Sequence, residues 1–187
     1  MLVASIEKDC ADARELPFVA SKASYRPLGR LLNSCLHPLI SDRAAARLGR
    51  VPIPIPGGVR ELLEAPNYVH LSTLRADGSP RNWVVWVGLE GEHILICTSD
   101  AIWKAKDMRR DGRVALSVTD SENPYRMAAI QGRVVEVRSD EGCRYMDPIS
   151  YKYTGAPFPS RGPDRVCFVI AVEKAAQRTL GFTHNPA

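Results

Sequence analysis

No stretch of this 187-residue chain reaches the ~20 consecutive apolar residues that a bilayer span requires, and the N-terminus has no apolar signal-peptide run. The expectation is a cytoplasmic protein with no membrane partner. Five cysteines (Cys10, Cys35, Cys97, Cys143, Cys167) are scattered without a Cys-x-x-Cys pair, so neither a disulfide framework nor a zinc centre is expected. Gly-x-Gly-x-x-Gly, Walker and Gly-x-Ser-x-Gly sequences are missing, which argues against a dinucleotide-binding fold, a phosphate-loop NTPase and a serine-hydrolase elbow. His37, His70, His93 and His184 show no metal-ligand spacing, and no carboxylate pair stands out for glycosidic acid–base work. A chain so poor in catalytic side chains is either a binding protein or an enzyme whose reactivity resides in a cofactor.

Charge is unevenly spread. Residues 1–50 carry eight Lys and Arg against five Asp and Glu, whereas residues 51–187 carry seventeen against sixteen. A nucleic-acid binder concentrates its basic excess on its folded domain, so no nucleic-acid partner is expected.

Composition divides the chain into four parts: an extension over 1–50, a Pro/Gly connector over 51–58 (VPIPIPGG), a folded domain over 59–182 and a tail over 183–187. In the extension, Leu28, Leu31, Leu32, Cys35, Leu36 and Leu39 recur at helical spacing, and Pro38 breaks the pattern near its end. In the folded domain, a short helix over 59–65 ends at Pro66. Strands follow over 68–74, 82–89 and 93–98, with an Asp77-Gly78 turn after the first. Connections this short make the three an antiparallel meander. A helix over 101–110, strands over 114–119 and 126–137 with a bulge at Gly132, a helix over 140–153, a Pro-rich loop over 155–163 and strands over 165–172 and 177–182 complete the pattern. Strand twist and the hazard of unpaired edges favour closure into a small barrel, whose lumen is filled by side chains. A ligand is then expected on the outer wall or at a subunit interface.

Four segments carry candidate chemistry. Thr98 and Ser99 end a strand just before a helix bearing Lys104, Lys106, Arg109 and Arg110. Such a helix start attracts a phosphate over which lysines can close, although a solvated basic face is the plainer reading. Trp103 is expected in the core. In RNWVVW, Trp83 and Trp86 are three apart and so point to opposite strand faces. Asn123-Pro124-Tyr125-Arg126 opens the long strand, and Lys152-Tyr153-Thr154-Gly155 ends a helix with a Gly stop.

In order, ADGSPRNWVVWV, CTSDAIWKAKDMRRDGRVALSV, ENPYRMAAIQGRVVEV, SYKYTGAPFP and DRVCFVI resemble the pyridoxamine 5'-phosphate oxidase-like family of flavin and deazaflavin oxidoreductases. NPYR and KYTG look most like its coenzyme F-420-dependent branch. The resemblance implies an FMN-binding-type split antiparallel β-barrel that forms a homodimer with cofactor at the interface. It also implies F-420 as cofactor, with FMN the alternative in the same groove. Thr98, Ser99 and Lys104, with Lys106 nearby, match phosphate-binding positions. Asn82, Val84 and Val85 match the strand along which the ring lies, and Tyr125 and Arg126 a segment approaching from the partner. The implied activity is hydride transfer from reduced deazaflavin to an unsaturated small molecule. The alternatives are an FMN-dependent oxidase or reductase, or a non-enzymatic cofactor-binding protein. Met127 stands where an aromatic is common, and Asp111-Gly112-Arg113 where Asp-Pro-Arg is usual.

Overall fold

A computed structural model describes residues 52–185. The leucine stripe expected between residues 28 and 39 lies outside them. Along the chain run α1 (Gly57–Glu64), β1 (Val69–Leu74), β2 (Pro80–Val85), β3 (Gly88–Glu90), β4 (His93–Ser99), α2 (Trp103–Arg110), β5 (Arg113–Thr119), β6 (Arg126–Ser139), a 3-10 turn (Glu141–Cys143), α3 (Met146–Thr154) and β7 (Arg165–Thr179). Among these, no helix is long and apolar enough to cross a membrane.

The expected Asp-Gly turn sets the first register. Gly78 adopts φ +83, a conformation a side chain would strain. The Arg75 amide bonds Ser79 O at 2.8 Å, the Gly78 amide bonds Arg75 O at 3.0 Å, and Asp77 Oδ1 accepts from the Ser79 amide at 2.9 Å. These contacts place Thr73 opposite Arg81 and Leu71 opposite Trp83. Pro80, which has no N–H, falls opposite Leu74, on a rung where the alternating ladder requires no donor.

All seven strands pair antiparallel in one sheet of order β2-β1-β5-β6-β7-β4-β3. β2 and β3 therefore form the two edges, although only Trp86 and Val87 separate them in sequence. Three trans Cα steps span at most about 11 Å, so the sheet must curl until its edges meet at this point. Hydrogen bonding does not close the barrel; the chain itself crosses the split. A single strand over 82–89 was expected and is instead broken at Trp86-Val87, because its two halves pair with different neighbours.

Side chains of α3 stand in for the missing ladder at the crossing. The buried Val87 donates its amide to Tyr153 Oη at 3.3 Å, and its carbonyl accepts from Lys152 Nζ at 2.6 Å. Lys152 Nζ also donates to Leu63 O at 2.7 Å, and the Tyr153 hydroxyl donates to Asn67 O at 2.8 Å. Trp86 stacks on the Tyr153 ring at 5.0 Å. Two residues of the Gly-stopped segment thus pin α1, β1 and the crossing to one helix.

The core lies inside the curl, where Leu62, Leu63, Leu71, Ile94, Ile96, Ile130, Phe168 and Ile170 pack together. A smaller cluster of Leu95, Cys143, Met146, Ile149, Cys167 and Val169 lies between β4–β7 and α3. Trp83 packs on the first and Trp86 on the second, so they do face opposite ways. The expected bulge occurs as a register shift between Gln131 and Gly132, where a Cβ on Gly132 would lie 2.7 Å from Ala171 O. Two other expectations change. The last two strands are one continuous β7, since β6 supplies paired backbone through Thr179. The helix over 140–153 is split, because Gly142 and Cys143 take positive φ.

Lys152→Met should cost about 1–3 kcal/mol in urea unfolding, because the Leu63 and Val87 carbonyls lose their donor. Burial lowers Lys152 to about 8 from 10.5 and raises Tyr153 to about 12 from 10.0. Between about pH 8 and 10 the unfolded lysine binds more proton than the folded one, so this pair makes stability rise with pH. Above 10 the unfolded tyrosine ionises first and stability falls. The rise should be absent in Lys152→Met.

Candidate functional site

β2 is an edge strand with two distinct faces. Arg81, Trp83 and Val85 point towards α2 and the core, whereas Asn82 and Val84 are exposed on the outer wall. Alternation of the ladder also turns the backbone groups of Asn82 and Val84 away from β1. Val85 is buried, and its rung opposite Val69 is one that bonds within the β1 ladder, so neither its side chain nor its backbone faces the open edge. On the outer wall, Asn82 lies opposite Ser72 and donates to its hydroxyl at 3.0 Å, and Val84 lies opposite His70. His70 and Ser72 border a depression of about 450 Å³ that is also lined by Ala115, Ser117, Ala129, Ala176 and the longer Gln131 and Lys174. The outer wall is therefore concave where a ligand was expected.

At the Arg81 end of β2, α2 lays a basic and aromatic ridge across the barrel mouth. Lys104 is buried with Nζ 5.5 Å from the Trp83 ring centroid. Lys106 is exposed, with Nζ 5.1 Å from the Trp103 centroid. Arg81 lies 5.1 Å from Trp103 and 5.8 Å from Trp83. Trp103 is 52% exposed, which corrects the core placement expected for it. Helix periodicity explains the difference: Lys104, Ala105, Asp107 and Met108 form the buried face of α2, and Trp103 lies off it.

A buried carboxylate organises the cations. Asp107 Oδ2 accepts from Thr73 Oγ1 at 3.1 Å and approaches Arg81 at 3.5 Å, and its Oδ1 accepts from Arg110 at 3.0 Å. Thr73 Oγ1 in turn accepts from Trp83 Nε1 at 3.2 Å. Arg109 is drawn off to Asp100 at 2.6 Å. Five cations thus stand against two carboxylates, an excess suited to an anion. Arg81 and Asp107 were not among the expected site residues. The signal available for Arg81 was its period-2 spacing from Trp83 directly after a fixed turn.

The remaining expected residues are placed differently. Successive strand residues face opposite ways, so Thr98 points inward while Ser99 points outward. Thr98 is buried and its Oγ1 has no partner. The Ser99 hydroxyl bonds the Asp164 carboxylate and accepts from the Ala101 amide at 3.2 Å. The two hydroxyls therefore do not converge. Ile102 rather than a serine occupies the N-cap of α2, and no side chain caps it. Tyr125 packs on Phe182 at 5.2 Å, and Arg126 is paired with Glu61 and with Asp120 at 3.3 Å. Arg126 begins β6 and Tyr125 precedes it, at the Val85 end rather than the Arg81 end of the sheet and three strands away. Within one chain they do not join the Lys104 ridge. Among the described residues, no group of three or more His, Cys, Asp and Glu could hold a metal.

The sequence matches the model of the pyridoxamine 5'-phosphate oxidase family over residues 55–179. No curated protein matches it. A solved F-420 reductase is 29% identical, with a TM-score of 0.60 over 65% of this chain and 98% of its own. A conserved hypothetical protein from Mycobacterium tuberculosis is 19% identical, with a TM-score of 0.57 over 73% of this chain and 93% of its own.

Asp107→Asn should cost about 1.5–3 kcal/mol in denaturant unfolding, as expected for loss of hydrogen bonds to a charged group. It should also move the Trp83 emission maximum, because the charged acceptor that holds Thr73 becomes a neutral one. An unchanged midpoint and spectrum would show that Asp107 does not organise the ridge.

Proposed function

Since the chain belongs to the pyridoxamine 5'-phosphate oxidase family, we propose that it is an oxidoreductase that binds coenzyme F-420 and transfers hydride to an unsaturated small molecule. The observation that carries this reading is the joining of a basic, aromatic ridge to the free edge of β2. A phosphorylated planar ring needs a cationic anchor, an apolar or aromatic wall and backbone groups to orient it. Arg81, Lys104 and Lys106 supply the first, Trp83 and Trp103 the second, and Asn82 and Val84 the third. The residues present therefore fit the group. The preference for F-420 over FMN draws support from the likeness to the F-420 reductase.

When bound, reduced F-420 supplies a hydride for an activated double bond. The chain's own contribution is binding and exclusion of water. Lys104, buried at the barrel mouth, and Arg81, held by Asp107, fix the anionic tail. Thr98 carries a buried, unpartnered hydroxyl, whereas Ser99 contributes through its backbone because Asp164 takes its hydroxyl. Val85 shapes the strand from inside, its backbone being taken up in the ladder with Val69. Tyr125 and Arg126 reach a site only from a second copy, so the reading includes a homodimer joined across the concave outer wall.

Fluorescence titration with F-420 and with FMN tests this. F-420 should bind more tightly, and Lys104→Ala and Arg81→Gln should each weaken it by roughly 10- to 150-fold, the range for a charged hydrogen bond. Tighter binding of FMN would move the protein to the flavin reading. Tight F-420 binding without turnover of unsaturated ketones or quinones would make it a carrier. Unchanged affinity in both variants would remove the ridge from the site.

A further inference from the structure

Away from the ridge, on the outer face of β4 and β7, three thiols share one apolar cluster under α3: Cys97, Cys143 and Cys167. Cys97 and Cys167 are direct partners across the β4–β7 ladder. The Asp100 amide bonds Asp164 O at 2.8 Å, which marks that rung as hydrogen-bonded. Alternation then makes the Cys97–Cys167 rung non-hydrogen-bonded, the type in which Cα atoms approach to about 4.5 Å and side chains are closest. That separation lies inside the disulfide range of about 4.4–6.8 Å, near its short limit. The nearby Cys167 thiol is the largest influence raising the Cys97 thiol.

A second feature lies beside them. Arg165, two residues from Cys167 on the same face of β7, is only 6% exposed, and its Nε and Nη2 have no acceptor. Its charge acts to lower both Cys97 and Cys143, against the opposing effect of buried Asp140. Arg165 thus places a buried cation with unused donors where it can steady the negative charge as a thiol gives up its proton, while the neighbouring Cys167 and burial keep the resting Cys97 thiol protonated. Cys143 is less well placed: its Sγ is directed to Ser160 O at 3.7 Å.

We propose that Cys97 and Cys167 are a dithiol redox site that takes a hydroperoxide as oxidant and closes to a cross-strand disulfide. One thiolate attacks the peroxide, forming a sulfenic acid and releasing one molecule of water or alcohol. The second thiolate displaces hydroxide from that sulfur, which leaves as water on protonation. Two thiols thus lose two electrons and two protons, and the peroxide O–O bond is reduced. A disulfide formed here is reversed by added dithiol through thiol–disulfide exchange. The neighbouring Cys167 thiol and burial push the Cys97 thiol up, so the pair stays reduced until a reactive oxidant arrives.

The test is peroxide treatment of the full chain, followed by mass spectrometry of the intact protein and of a non-reducing digest. The protein should become two hydrogens lighter, with the Cys97 peptide joined to the Cys167 peptide, and dithiothreitol should restore both thiols. Cys97→Ser and Cys167→Ser should each abolish the link, while Cys143→Ser retains it. A link through Cys10, Cys35 or Cys143 instead, or two free thiols after treatment, would overturn the proposal. The readout needs no cofactor, so it stands or falls separately from the hydride-transfer reading.

Discussion

The fold depends on a two-residue passage between the edges of one sheet. β2 and β3 are the first and last strands in spatial order but neighbours in sequence, so the sheet has to curl until Val85 and Gly88 are within reach of each other. Neither edge continues the ladder across that passage. Val87 would then bury an unpaired amide and carbonyl, at a cost of roughly 1–3 kcal/mol each. Lys152 and Tyr153 remove that cost and bring Leu63 O and Asn67 O into the same set of contacts. The free edge of β2, which carries Asn82 and Val84, exists because the barrel is joined here by chain rather than by hydrogen bonds.

The basic ridge follows from a similar economy of burial. A lysine inside a barrel mouth and arginines close to it would repel one another and resist desolvation. Asp107, itself buried, offsets this by holding Thr73, Arg81 and Arg110 from one carboxylate. Thr73 passes the order on to the Trp83 ring, against which Lys104 lies. Positive charge is left over, and it is left at the end of the strand whose outer backbone is open. Anion anchoring and ring orientation thereby fall on adjoining residues of one element pair.

Much of this was legible in the residues. Alternation identified β1, short β-rich runs identified β4 and β5, the Asp-Gly turn fixed the first hairpin, and Gly132 marked the bend of β6, because each signal depends on near neighbours. Lys104 and Lys106 were visible as a basic helix after a strand end. Arg81, Asp107 and the exposure of Trp103 were not, since they depend on which face of α2 meets the barrel. The convergence of Thr98 with Ser99 was expected from adjacency in sequence, but adjacency in a strand means opposite faces. The segment ending in Lys152 and Tyr153 was noticed only as a helix end; its role rests on an amide and a carbonyl sixty-five residues or more away.

The residue order by itself determined a mostly β chain of antiparallel strands with short helices, its turns and its family resemblance, since these follow from local periodicity and backbone-restricting residues. Tertiary structure alone decided that the strand over residues 80–90 is divided between two edges, that Arg81 and Lys104 share one mouth, and that Cys97 meets Cys167. The physical reason is the same in each case: register between distant strands, set by the sum of many cross-strand pairs, chooses partners that no local pattern specifies.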